Sequence, residues 1–107
     1  MASKVVNGVL WTQTVNAAFP NVHVSLNSAC QDPLCYGDWT YGEWSMVLQR
    51  RTGGTWRNIG SRTGYVSSSS PSHITFTNVR KEGPMRVYTI ISSSAYHRSV
   101  TLIDHIN

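Results

Sequence analysis

Apolar and polar residues alternate along most of this chain with a period of two. Val22, Val24 and Leu26 alternate with His23, Ser25 and Asn27, and Trp44, Met46 and Leu48 with Ser45, Val47 and Gln49. Ile74 and Phe76 alternate with Thr75 and Thr77, and Met85, Val87 and Thr89 with Arg86, Tyr88 and Ile90. Val100, Leu102 and Ile106 alternate with Thr101, Ile103 and His105. Successive side chains of a strand point to opposite faces, so each run predicts a strand with one face buried. Thr52-Gly53-Gly54-Thr55 between two such runs predicts a hairpin, with residues 56–62 as the returning strand. Val5 to Val15 is read as one further strand, bent at a bulge at Gly8. No stretch shows helical periodicity. Ala17-Ala18-Phe19 could close a single turn that Pro20 stops, and Ser67 to Ser72 reads as a mobile loop. The fold class expected is all-β: one β-sandwich domain of about seven strands over residues 1–107.

Composition supports an all-β domain. The chain has 107 residues, enough for one core, and only 13% of them are charged, against roughly 25% in ordinary soluble domains. Serine, threonine and asparagine, at 14, 10 and 7 residues, take the place of the missing charges. Thr suits a pleated surface, and Ser and Asn suit turns. The net charge is +4, and it is unevenly spread. Asp32, Asp38 and Glu43 stand together, whereas residues 50–98 hold eight basic residues and one acid, Glu82.

Cys30 and Cys35 flank Gln-Asp-Pro-Leu, and Pro33 lets the chain turn back. The pair is therefore read as a short disulfide, which implies an oxidising compartment. A zinc site would need a second ligand pair, and none is present. The first ten residues, MASKVVNGVL, lack the pattern of a signal peptide, and no segment has the length of a membrane-spanning helix. No Asn-x-Ser/Thr acceptor occurs either. The expected setting is a secreted, extracellular protein, in mature form behind an initiator Met, from a bacterial source.

Residues 74–91, ITFTNVRKEGPMRVYTII, resemble the E–F corner of immunoglobulin-like and fibronectin-III-like sandwiches. The preceding hairpin, residues 44–63, resembles their strands C and C′. The resemblance implies that Tyr88 is the corner tyrosine of strand F. The inter-sheet cysteine pair of immunoglobulin domains is absent, because Cys30 and Cys35 are too close in sequence. The resemblance carries a fold and no function.

Three constellations could carry chemistry. Residues 36–44, YGDWTYGEW, put four aromatic rings within nine positions, interleaved with glycine and acids. Tyr36, Trp39, Tyr41 and Trp44 would stack on the apolar faces of sugars, with Asp38 and Glu43 taking hydroxyls, and the disulfide would hold the loop ready for a ligand. Arg50, Arg51, Arg57 and Arg62 crowd the central hairpin and could meet an anionic surface. The acids Asp32, Asp38 and Glu43 offer hard oxygen donors, but their spacing fits no calcium loop. Catalysis is not expected. No strained Ser motif occurs, and Asp104 and His105 are strand neighbours that face opposite ways. No catalytic residue, metal or cofactor is assigned.

The function expected is a non-catalytic binding module that recognises carbohydrate or another cell-envelope component through the aromatic loop. Two alternatives stand beside it. One is a basic antibacterial or effector protein using the Arg hairpin. The other is a protein-binding inhibitor presenting the Cys30–Cys35 loop. Nucleic acid is a disfavoured partner, since no RNA-binding signature is present. The oligomeric state is open.

Overall fold

The computed structural model describes residues 1–33, 35–93 and 98–106. Eight strands run in chain order: β1 (Ala2–Val6), β2 (Val9–Ala18), β3 (Asn21–Cys30), β4 (Gly42–Thr52), β5 (Thr55–Val66), β6 (Ser72–Phe76), β7 (Met85–Ser93) and β8 (Arg98–Ile106). One 3₁₀ turn, Gly37–Thr40, precedes β4. Two four-stranded antiparallel sheets form, ordered β1-β2-β3-β6 and β5-β4-β7-β8, and they pack as a sandwich. The molecule measures 45 × 24 × 19 Å.

The alternation sets the inner faces. Trp11, Val22, Val24 and Leu26 from the first sheet meet Trp44, Met46, Leu48, Val87 and Leu102 from the second, all buried in one cluster. Burying a large apolar side chain contributes about 1.5–3 kcal/mol, so this layer is the principal source of stability. A polar string crosses the same layer. Gln13 Nε2 donates to Asp104 Oδ2 at 2.9 Å, and the Thr89 hydroxyl donates to Gln13 Oε1. The terminal ammonium of Met1 lies 2.9 Å from Asp104 Oδ1.

The hairpin at Gly53-Gly54 forms as expected, with φ of +58° and +81° that suit glycine. Two other expectations are corrected. Gly8 is not a bulge. Asn7 and Gly8 both take positive φ, 51° and 77°, and turn β1 back onto β2, which adds an eighth strand. Ala17 and Ala18 continue β2, and the chain reverses at Phe19-Pro20, across a cis peptide. Residues 67–70 form a turn. Ser67 and Ser70 bridge to each other, and Ser72 starts β6.

The chain crosses from β6 to β7 between sheets, and β7 returns beside β4, as an E–F corner would. Tyr88, however, is not a corner tyrosine. Its register with Val47 and Ile103 puts it on the outer face of the second sheet, where the Arg86 guanidinium lies 5.6 Å from its ring centroid.

Candidate functional site

Two anchors place the 36–44 segment. Cys30 and Cys35 are bonded, with Cα atoms 5.6 Å apart, so the chain leaving β3 is pinned at once. Gln31 and Asp32 donate their amides to the Gly8 carbonyl, at 2.7 and 3.4 Å, and tie the loop to the β1–β2 turn. The second anchor is Thr40, which is buried. Its hydroxyl donates to the Gly37 carbonyl at 2.7 Å, and its carbonyl accepts from Ser28 Oγ at 2.6 Å. The Ser68 amide donates to the same hydroxyl at 3.1 Å. Thr40 thus ties the 3₁₀ turn to β3 and to the serine turn.

The four aromatic residues of this segment separate into two environments. Trp44 faces inward and is 5% exposed. Its Nε1 donates to Ser72 Oγ at 3.1 Å, and Ser72 donates to the Tyr65 carbonyl at 2.6 Å. Trp39 is half-buried and packs against the core, with Tyr36 edge-on to it at 5.3 Å. Tyr36 and Tyr41 face water at 67% and 41% exposure. The Trp44 ring therefore packs inward, because the strand period that makes Glu43 outward makes Trp44 inward. Asp38 is exposed on the 3₁₀ turn.

A residue outside the expected set completes an aromatic platform. Tyr65, 58% exposed, lies opposite Glu43 across the β4–β5 ladder. Its ring stacks on Tyr41 with centroids 5.6 Å apart and planes 24° from parallel. The Glu43 carboxylate hydrogen-bonds and repels charge at the Tyr65 hydroxyl, and this raises the phenol above its ordinary pKa. Beside the pair runs a groove of about 500 Å³ over the outer face of the second sheet, bordered by Glu43, Ser45, Thr63, Tyr65, Ile90 and Ser92. It combines an aromatic platform, one carboxylate, three hydroxyls and one apolar side chain.

No family model, curated protein or solved structure matches this chain. The groove is therefore read from its own chemistry. Among the described residues, no three His, Cys, Asp or Glu side chains gather into a metal-binding group. Asp32, Asp38 and Glu43, close in sequence, do not form such a group.

The four hairpin arginines do not share a face. A register shift falls at Leu48/Gln49; Arg50 pairs with Arg57 and Arg62 with Met46 on the inner side, and Arg51 pairs with Trp56 on the outer side. Arg50 donates from Nε to the Glu82 carbonyl at 2.7 Å and from Nη2 to the Arg80 carbonyl at 2.5 Å, which holds the β6–β7 corner. Arg62 lies over the Phe76 ring, 4.8 Å from its centroid. Arg51 and Arg57 are exposed.

Tyr65 lies 22 residues beyond Glu43 and past the predicted returning strand 56–62, so local spacing does not bring it to the 36–44 segment.

Proposed function

We propose that this chain is a small secreted, non-catalytic binding module that recognises carbohydrate. It does so through the groove flanked by Tyr41, Tyr65 and Glu43. One observation carries the reading: the exposed Tyr41–Tyr65 stack beside a carboxylate and a row of hydroxyls. Stacked phenol rings exposed to water offer a flat apolar surface, which matches the C–H face of a pyranose. Glu43, Ser45, Thr63 and Ser92 are short-range hydrogen-bonding groups of the kind that orient a polyhydroxylated ligand. The platform rests on strands and on a turn pinned by the disulfide and Thr40, so little ordering entropy is lost on binding.

A binder suits the groove better than an enzyme does. Glu43 is its one carboxylate, whereas glycoside hydrolysis needs two flanking the scissile bond. The disulfide supports an oxidising, extracellular location.

A glycan array, followed by calorimetry on the best saccharide, tests the reading. Tyr65→Ala is expected to weaken binding by about tenfold or more, because truncating a central aromatic contact costs upward of about 1 kcal/mol. Glu43→Gln is expected to change the preferred saccharide, and Trp39→Ala to act less strongly than Tyr65→Ala. An array on which the wild-type protein binds no glycan, or a Tyr65→Ala variant equal to wild type, overturns the proposal.

A further inference from the structure

The seam between β5 and β6, edge strands of opposite sheets, is incompletely closed. The inward positions of β5 there are Gly60 and Arg62, where a sandwich would ordinarily place bulky apolar residues. Gly60 sits directly against Phe76, and an added Cβ would come within 2.9 Å of its ring. The seam opens as a cleft of about 180 Å³, floored by Phe76 and Gly60 and bordered by Arg50, Arg62 and Arg80.

Each of these arginines keeps donors to spare. Arg62 spends Nη1 on the Ser61 carbonyl at 2.7 Å, and among the described residues its Nε and Nη2 have no protein partner. The guanidinium carbon lies over the Phe76 ring, 4.8 Å from its centroid. Arg50 is held by the Arg80 and Glu82 carbonyls through Nη2 and Nε, which leaves Nη1 without a partner among the described residues. Among the described residues Arg80 pairs with Glu82, at 3.4 Å, with both side chains largely in water, so that pair is weak and readily exchanged. Guanidinium groups stay protonated at any working pH, so three of them round one small opening repel one another unless an anion offsets them. Their planar donor forks match the oxygens of phosphate and sulfate.

We propose that this cleft binds a tetrahedral oxyanion, a phosphate or sulfate group either free or carried as a sugar ester. The volume suits one such group with part of its carrier, and the Phe76 floor suits the carrier's apolar side. The proposal stands independently of the saccharide groove on the outer face of the second sheet.

The test is an NMR titration of the full chain with sodium phosphate and sodium sulfate, against sodium chloride at equal ionic strength. Saturable shifts are expected at Gly60, Phe76 and Arg80. Arg62→Gln and Arg80→Gln should each weaken binding about tenfold. Arg57→Gln removes the same charge from the same hairpin outside the cleft and should leave the affinity within twofold. Arg80 is exposed on a corner, so its variant carries the test should Arg62→Gln fail to fold. Glucose 6-phosphate and glucose 6-sulfate form a second arm. Tighter binding of an ester than of the free ion assigns the group to a sugar, equal binding assigns a free ion, and either result upholds the site. Shifts that do not saturate, or that chloride reproduces, overturn the proposal, as does an Arg57→Gln variant as weak as Arg62→Gln. Tyr65→Ala should leave oxyanion binding unchanged, which separates this outcome from that of the groove.

Discussion

Trp44 packs where its neighbouring strand has no side chain. An added Cβ on Gly64 would stand 2.6 Å from the Trp44 ring. Gly64→Ala is therefore expected to displace the indole and strain its bond to Ser72, at a cost of about 1–3 kcal/mol, the usual range for overpacking a core. Urea denaturation should show a lower midpoint with an unchanged slope. Tyr65, on the opposite face of the same strand, gives a second prediction. Its phenol is raised by Glu43, so ultraviolet difference titration should find one tyrosine ionising later than free phenol, about pH 10. Glu43→Gln should return it toward the ordinary value. The folded pKa lies above the unfolded one, so the small associated stabilisation is complete below the unfolded value. It is lost as pH rises through the folded value.

At the scale of elements, the strands follow the alternation and the turns follow glycine. Asn7-Gly8 and Gly53-Gly54 both reverse the chain with positive φ, and the first of these was legible in the sequence as a hairpin signal. Reading it as a bulge merged two strands into one. The 3₁₀ turn depends less on its own residues than on its anchors, the Cys30–Cys35 bond and Thr40. A loop closed by so few residues restricts the unfolded chain only modestly, so Cys30→Ser with Cys35→Ser should cost about 2 kcal/mol. The effect should be local. Hydrogen exchange is expected to rise across residues 36–40 and to stay slow in β4 and β7, whose ladders the disulfide does not touch. Exchange that rises equally in those strands would show that the bond supports the whole sandwich instead.

The whole molecule places polar groups where local pattern does not. Asp104 lies on the inner face of β8, and Gln13 of β2 and Thr89 of β7 join it through the core. Removing one partner leaves the others buried and unsatisfied, so Asp104→Ala should destabilise by about 1–3 kcal/mol. Replacing Asp104 and Gln13 together by leucine should cost less than the two single changes added, because neither group is then left alone. Equal, additive losses in a thermal denaturation cycle would show that the string is not coupled. Charge is also a property of the whole. Three of the acids, Asp32, Asp38 and Glu43, belong to the end bearing the disulfide and the tyrosine stack. Arg50, Arg62 and Arg80 border the seam between β5 and β6.

Sequence by itself determined the all-β class, the inward set of Val22, Val24, Leu26, Met46 and Leu48, and the bonded cysteines. Each of these follows from neighbours a few positions apart, through a period of two or a short loop. Tertiary structure alone decided which rings of 36–44 face water. It brought Tyr65 to Tyr41, and it set Arg80 beside Arg50 and Arg62 while leaving Arg57 out. These placements depend on strand register and on a single register shift at Leu48/Gln49. A shift of one residue exchanges the faces of a strand, and no local pattern in the chain records where that shift occurs.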